Sequence, residues 1–279
     1  MTAHRAREYY LLNDGWRFHR GDVHVPALTQ KLETYMHSHG QRAQGAFKKL
    51  FYDHDWERVD LPHDWVVSSE YDEGANTTHG YRARGVGWYR RAFALDEDLR
   101  ERRVYLRFEG VSAEATIFVN DFLAGRVFTS AVTTTLDVTE LVTYGNEVNL
   151  LSVRIDASGF EGWYYEGAGI YRDVWLVTTP QTRLDAASVF ARARQLDGDE
   201  WELVCEATVK RGAGLPTSGL PAGETLTARL ELLDADGTTT ASAETAVDPA
   251  PLDETDVAWR VPVSGPRLWS PDAPDLYDL

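Results

Sequence analysis

The stretch GWYYEGAGIYRDVWLV, residues 162–177, is the most distinctive part of this 279-residue chain. Its glycines, among them Gly167 and Gly169, permit backbone angles that a side chain forbids, so a tight loop that approaches other groups closely is predicted. The apolar ending, VWLV, predicts that this loop leads into a strand. The aromatic residues offer flat faces that either stack on a ring-shaped ligand or pack beneath the loop: Trp163, Tyr164, Tyr165 and Tyr171.

Short strands are predicted before this loop. In residues 104–109 every second residue is apolar, as a strand with one buried face requires. Residues 115–119 repeat the pattern ahead of a turn at Asn120–Asp121. Residues 148–155 predict another strand, in which the apolar phase slips at Leu150–Leu151 and indicates a bulge.

The carboxy-terminal third of the chain has a more regular β pattern. Inward-facing apolar rows are predicted in residues 201–209, 226–232 and 257–263, with a turn at residues 234–237. Cys205 belongs to the first of these rows. Its predicted role is therefore packing and not nucleophilic chemistry.

Composition excludes several classes of protein. The net charge of −16 argues against nucleic-acid binding, because phosphate recognition needs clustered lysine and arginine. With a single cysteine, the chain forms no intrachain disulfide, which argues against a secreted disulfide scaffold. No apolar run of signal-peptide or membrane-spanning length is present. A cytoplasmic protein without nucleic-acid or membrane partners is predicted.

Six motifs follow one another in a defined order. They are LNDGWRF (12–18), DLPHDW (60–65), GVGWYRRAF (85–93), LRFEGV (106–111), FVND with a following glycine (118–125) and the loop at 162–177. A weaker motif, LWSPDAPDLY, lies at residues 268–277. With these motifs the chain resembles the amino-terminal part of glycoside hydrolase family 2, which contains β-galactosidases, β-glucuronidases and β-mannosidases, and the β-galactosidases are favoured.

The resemblance implies an all-β fold in two domains. Residues 1–182 are expected to form a jelly-roll β-sandwich of the galactose-binding type, and residues 183–279 an immunoglobulin-like β-sandwich. The helical spacing of residues 31–52 predicts an inserted loop with a short helix. The second domain is predicted to contain about five strands and the start of a sixth at residues 276–279. A complete sandwich of this type has about seven strands. We therefore expect it to be truncated before its last strands.

The resemblance also bears on catalysis. Retaining glycosidases use two carboxylates roughly 5–5.5 Å apart, and in this family both are glutamates of a (β/α)8 barrel. The chain shows no barrel-like alternation of strands and helices, and no motif of serine hydrolases, phosphate-binding loops or metalloproteases. No catalytic residue is predicted here; hydrolysis of terminal β-galactosides is expected of the complete enzyme, which is also expected to be a homo-oligomer.

Two loops of the first domain are implied to reach the sugar pocket of the complete enzyme. In the best-known β-galactosidases the later loop carries an aspartate that contacts galactose and sodium. Trp163 occupies the matching position here, so sodium binding is not expected, and Glu161 is the alternative ligand. The substrate-binding residues implied are Asn76, His79 and Tyr81 in the earlier loop, and Glu161, Trp163, Tyr164 and Glu166 in the later one.

No cofactor or metal is predicted for this chain. His37 and His39 lack the further ligands that a metal site needs, and a sodium or magnesium ion would belong to the intact enzyme. Arg172 is expected to meet a buried carboxylate, and the HDW sequence at residues 63–65 to fix a turn by hydrogen bonding. Residues 100–103, RERR, are predicted to be a solvated run of charge.

Two functions of different classes remain open. One is a non-catalytic fragment of a family 2 exo-glycosidase, and the other is a stand-alone carbohydrate-binding or interaction module, since a jelly roll serves either role. The length of the natural reading frame distinguishes them. A continuation with barrel-like alternation favours the enzyme, and a stop after Leu279 favours the module.

Overall fold

The computed structural model describes residues 6–23, 45–159, 167–210, 226–247 and 254–279. These residues form strands, turns and short 3-10 helices in two compact units, Met1–Pro180 and Gln181–Leu279. None of the described helices has the length and apolar composition that crossing a membrane would require. The predicted all-β fold class is confirmed.

The first unit contains two antiparallel sheets. Its strands are β1 (Glu8–Leu11), β2 (Trp16–Arg20), β3 (Glu57–Val59), β4 (His63–Asp64), β5 (Val86–Ala94), β6 (Arg103–Phe108), β7 (Glu114–Val119), β8 (Phe122–Val127), β9 (Thr134–Asp137), β10 (Val148–Asp156), β11 (Gly169–Ile170) and β12 (Val174–Thr179). One sheet has the order β1-β12-β6-β9 and the other β3-β2-β5-β10-β7-β8, while β4 and β11 pair separately.

The main core of this unit comes from the alternating residues that the sequence predicted. Val104, Leu106 and Phe108 of β6 are buried while the residues between them are only half-buried. Strand β7 shows the same alternation. The predicted turn after it is confirmed, because Asn120 and Asp121 have φ angles of 47° and 75° and join β7 to β8. Hairpin turns of this kind require positive φ at both central positions.

The bulge predicted in β10 is wrong. Strand β10 pairs with β5 over its whole length without a register shift, and residues on both of its faces are buried, Leu150 and Ser152 as well as Leu151. The second face is covered because a separate apolar cluster, centred on Trp56 and Trp88, packs on the outside of the sheet. Consecutive leucines therefore reflect a strand covered on both sides.

The segment of residues 45–52 forms successive turns, whereas a short helix was predicted within residues 31–52; residues 31–44, with His37 and His39, lie outside the described residues. Arg90 of β5 holds these turns. Its guanidinium donates to the carbonyl oxygens of Ala46, Lys48 (3.0 Å) and Phe51 (3.5 Å). The backbone hydrogen bonds of the segment span three residues, from N–H of Lys48 to Gly45 and from N–H of Phe51 to Lys48 (both 3.1 Å), whereas a helix requires a span of four.

The RERR run is not uniformly solvated. Arg102 is buried, and its Nη2 donates to the carbonyl oxygen of Ala6 (2.6 Å) while its Nε donates to Oγ1 of Thr178 (3.1 Å). Arg100 and Glu101 match the prediction, since both are exposed and Arg100 is paired with Glu97 at the surface. The run is divided in space because it turns from the 3-10 helix Glu97–Leu99 into β6, which begins at Arg103.

The second unit contains β13 (Arg183–Leu184), β14 (Phe190–Gln195), β15 (Glu200–Lys210), β16 (Leu226–Leu233), β17 (Thr239–Val247) and β18 (Glu254–Ser264). Strand β15 pairs with β13, β14 and β18, and β16 forms a hairpin with β17. The three predicted apolar rows line one core, which includes Cys205 and Trp259. Near the carboxy terminus, Asp278 and Leu233 exchange two backbone hydrogen bonds (2.8 and 2.9 Å).

Candidate functional site

A short antiparallel pair joins the glycine loop, defined here as residues 167–170, to the DLPHDW motif. Strand β11 pairs with β4 in the register Gly169 to Asp64. Beside this pair, the backbone N–H of Trp65 donates to the carbonyl oxygen of Ala168 at 3.1 Å. Two motifs about 100 residues apart in sequence (104 between Asp64 and Ala168) therefore form one structure.

The carboxylate of Asp64 fastens this junction. Its Oδ1 accepts hydrogen bonds from the N–H groups of Val66 (2.8 Å), Val67 (3.1 Å) and Ala168 (3.2 Å). The first two bonds close the turn after β4, and the third attaches that turn to the glycine loop. The predicted turn-fixing role of the motif is thus confirmed. Oδ1 of Asp64 performs it by accepting three backbone hydrogen bonds.

Both glycines of the loop are required by close approach. Gly167 has a φ of +70°, and a Cβ atom there would lie 2.1 Å from Oδ2 of Asp64. Gly169 has a φ of +144°, and a Cβ there would lie 2.2 Å from the carbonyl oxygen of His63. Residues with a side chain rarely adopt these φ angles, and at both positions a Cβ atom would overlap a neighbouring atom. The tight loop predicted from the sequence is confirmed for this part.

A pair of rings, half-buried His63 and buried Tyr89, supports the junction. Nδ1 of His63 and the hydroxyl of Tyr89 are 2.7 Å apart, and Tyr89 is completely buried. Burial lowers the pKa of the His63 imidazole and raises the pKa of the Tyr89 phenol. At neutral pH both groups are therefore uncharged, and their role is to position the turn.

Two arginines fasten the loop that carries the earlier group of predicted site residues. Nη1 of Arg82 donates to the carbonyl oxygens of Val66 (3.1 Å), Val67 (2.8 Å) and Ser69. Its guanidinium also lies 4.5 Å from the ring centroid of Tyr71. Nη2 of Arg84 donates to the carbonyl oxygen of Gly167 at 2.8 Å. This loop and the glycine loop are thus held against the same turn.

The three predicted residues of the earlier loop have different environments. Asn76 is exposed, and its Oδ1 caps the 3-10 helix Thr77–His79 by accepting from N–H of Thr78 (2.9 Å). His79 is only 9% exposed, and its Nε2 has no hydrogen-bond partner among the described residues. Tyr81 is 49% exposed and has a φ of 58°. Tyr81 presents a ring at the surface, whereas Asn76 is engaged in a cap.

The later group of predicted residues, Glu161, Trp163, Tyr164 and Glu166, lies outside the described residues, as does Tyr165. Of the aromatic residues singled out in that stretch, Tyr171 is described. Its hydroxyl donates to the carbonyl oxygen of Ser130 (2.5 Å), and its ring fills the space beside Gly110, where a Cβ would lie 2.6 Å from it. Tyr171 therefore packs beneath the loop.

Asp173 anchors the base of the loop. Arg172, which was expected to meet a buried carboxylate, is exposed, and within the described ranges it contacts the ring of Tyr171, 5.9 Å from the centroid. Oδ1 of Asp173 accepts from Nδ2 of Asn13 (2.8 Å), a residue of the LNDGWRF motif. Oδ1 of Asn13 in turn accepts from N–H of Val174 (3.1 Å).

Sequence reasoning missed Tyr71, Arg82 and Arg84. A signal was present, because two arginines alternate in the sequence RAR immediately before the GVGWYRRAF motif. The described surface of this site offers exposed rings at Tyr71 and Tyr81. Within the described ranges, no group of three or more potential metal ligands is present.

Comparison with known proteins agrees with this geometry. Residues 54–180 match the sugar-binding domain of glycosyl hydrolases family 2, and residues 215–279 match a second model of the same family. A β-galactosidase of Bacteroides ovatus is 28% identical over 276 residues, which are 98% of this chain and 29% of that enzyme. A β-glucuronidase of Bacteroides fragilis is 28% identical over 290 residues, covering 100% of this chain and 36% of that enzyme.

A solved structure extends the comparison to the fold. A glycosyl hydrolase family 2 member from Bacteroides cellulosilyticus superposes with a TM-score of 0.76 at 26% identity, covering 96% of this chain and 32% of that protein. This chain therefore spans about a third of the length of such relatives. The motifs, the junction that they build and the two matched regions show that the chain belongs to glycoside hydrolase family 2.

Proposed function

We propose that this chain is the amino-terminal, non-catalytic part of a retaining exo-β-glycosidase that hydrolyses terminal β-galactosides. In this proposal residues 1–182 form the sugar-binding jelly roll and residues 183–279 the immunoglobulin-like sandwich. The observation that carries it is the Asp64 junction, since it holds the glycine loop and the earlier loop, residues 66–84, against one turn. A rigid base of this kind suits loops that line a substrate pocket.

The chain's part in the reaction is to help bind the terminal sugar. Tyr81 offers an exposed ring, and aromatic faces stack well on sugar rings. Asn76 and His79 are proposed as neighbours in the same wall, with Glu161, Trp163, Tyr164 and Glu166 contributing from outside the described residues. The two carboxylates of retaining hydrolysis are assigned to the rest of the enzyme. A homo-oligomer in the cytoplasm stays a prediction.

One alternative is supported by a specific observation. The β-glucuronidase of B. fragilis is as similar to this chain as the β-galactosidase of B. ovatus, at 28% identity. A glucuronide has a carboxylate at C6 where a galactoside has a hydroxymethyl group, and the opposite configuration at C4, so a glucuronidase must offer hydrogen-bond donors or a cation to that carboxylate. A stand-alone binding module is the other alternative, and a natural reading frame that stops after Leu279 would favour it.

The test is a comparison of substrates. The complete product of the gene is expected to hydrolyse nitrophenyl β-galactoside with a higher kcat/KM than nitrophenyl β-glucuronide or β-mannoside. The 279-residue chain alone is expected to hydrolyse none of them. A preference for the glucuronide would replace the proposed substrate. Turnover by the 279-residue chain that persists through repurification would show that an acid–base pair was overlooked.

A further inference from the structure

Strand β16 of the second unit has one paired edge and one edge that is nearly free. Among the described residues it pairs with β17 along its length. On the other side Asp278 exchanges two backbone hydrogen bonds with Leu233 (2.8 and 2.9 Å). Residues two positions apart in a strand direct their N–H and C=O groups to the same side. Those of Glu231, Arg229 and Thr227 therefore point away from β17, and such a row is a template for a further strand.

The chain around Asp278 already follows the alternation of β16. Tyr277 packs against the core of the second unit. In the same antiparallel register Leu279 lies opposite Leu232, on the core side, and it is still 50% exposed. The side chains that β16 directs at this core are Leu226, Ala228, Leu230 and Leu232.

Strand β14 has an uncovered face on the same side of the unit's core. In its register with β15, Ala191 lies opposite Cys205 and Ala193 opposite Leu203. Directly opposite residues of an antiparallel pair share a face, so both alanines belong to the core side of their sheet. Cys205 and Leu203 are buried, whereas every residue of β14 is exposed. Within the part of the chain that the structure describes, no strand covers this face.

The order of the strands brings the two openings together. In one sheet β15 lies between β14 and β18, and β17 of the facing hairpin lies beside β18. The free edge of β16 is therefore on the side of β14. A strand added at this edge extends the second sheet over Ala191 and Ala193, whose small side chains leave room for larger ones from the facing sheet.

We propose that the residues directly after Leu279 in the complete protein form this strand, antiparallel to β16. The inference rests on the proposed function, in which more chain follows Leu279. The present chain spans about a third of the length of the relatives that it matches. The strand completes the core of the second unit and covers the open face of β14.

The register at Asp278 fixes the pattern of the added strand. The second, fourth and sixth residues after Leu279 lie opposite Leu230, Ala228 and Leu226, and they are apolar because they face the core. The first, third and fifth residues face outward, and their backbone groups bond to the intervening residues of β16. A reading frame with charged residues at the second, fourth and sixth positions overturns the proposal.

Hydrogen exchange of single amides, read by mass spectrometry, tests the pairing. The complete product of the gene is compared with the 279-residue chain. The amides of Thr227, Arg229 and Glu231 are expected to exchange at least about tenfold more slowly in the complete product, because each gains a backbone hydrogen bond. The amides of β5, which is paired on both sides, are the control and should not differ. Equal exchange of the three amides in both proteins overturns the proposal, as does protection that rises with protein concentration and so reports a second copy.

Matched variants test the face of β14. In the complete product, Ala193→Glu places a carboxylate beneath the added strand, so exchange of the three β16 amides should accelerate at least about tenfold. Ala246→Glu places the same charge at an exposed position of β17 and should leave that exchange unchanged. In the 279-residue chain, where Ala193 is exposed, either variant should shift the melting temperature by less than about 1 °C. An equal effect of both variants on the three amides refutes the assignment.

The two proposals fail in different ways. A complete product that protects β16 but hydrolyses no galactoside refutes the proposed substrate and supports the added strand. An active galactosidase in which the β16 amides exchange freely refutes the added strand alone.

Discussion

Replacing Asp64 with alanine should destabilise the first unit by about 2–4 kcal/mol. Its Oδ1 accepts three N–H groups, and those of Val66 and Ala168 belong to buried residues, whereas Val67 is exposed and its N–H has access to water. An orphaned buried donor costs about 1–3 kcal/mol. The bond to Ala168 is long, at 3.2 Å, so the lower end applies to it. At roughly 2–4 °C per kcal/mol, the melting temperature should fall by about 5–15 °C.

Thermal unfolding followed by circular dichroism measures this loss, and two variants control it. Asp64→Asn keeps an acceptor oxygen without its charge, and should lose about half as much. Asp72→Ala removes a carboxylate from the neighbouring 66–84 loop. That carboxylate accepts one hydrogen bond, from N–H of Gly74 at 2.8 Å, in an exposed turn. Its loss should cost less than about 1 kcal/mol. If Asp64→Ala melts together with Asp72→Ala, the junction is not a source of stability and the reasoning fails.

Three further outcomes are expected. Gly169→Ala should cost about 2–4 kcal/mol, because its Cβ meets a backbone oxygen at 2.2 Å, whereas Gly159→Ala, with open space around it, should be nearly neutral in the same melt. Because partial burial lowers the pKa of His63 below its usual 6.5, the unfolded state binds more protons. The contribution of His63 to the free energy of unfolding is complete above pH 6.5 and is lost progressively below it. As the pH falls from about 7.5 to 5.5, His63→Gln should therefore lose less stability than the parent chain, and parallel pH profiles would contradict this. In the complete enzyme, Trp163→Ala and Tyr164→Ala should each lower kcat/KM by an amount equivalent to about 1–3 kcal/mol, if stacking on bases is a fair analogue. An unchanged kcat/KM with a lowered melting temperature would mean that these rings only pack.

Local patterns in the sequence were sufficient for most of the fold. Alternation predicted the buried faces of β6, β7 and β15, and two residues of turn type predicted the hairpin at Asn120–Asp121. The failures were non-local. Whether Leu150 lies on a covered face depends on residues 45–56, about a hundred positions away, and Arg90, which binds the carbonyl groups of that segment, is 42 positions from Lys48.

The turn-fixing role of residues 63–65 and the tight glycine loop were predicted from the sequence, and the substrate-binding roles stay predictions. The buried carboxylate expected for Arg172 is not among its contacts in the described residues, and the carboxylate next to it, Asp173, pairs with Asn13, 160 positions away. The fate of Tyr171 depended in the same way on Gly110, whose missing side chain leaves room for the ring. Such pairings are set by which strands lie side by side, and no local pattern contains that information.

Strand β5 connects the glycine loop and the segment of residues 45–52. Tyr89 and Arg90 are consecutive, so their side chains leave opposite faces of the sheet. Tyr89 supports the glycine loop through His63, and Arg90 holds the 45–52 segment through its carbonyl oxygens. Because β5 pairs on both sides, with β2 and β10, it is a rigid base for both.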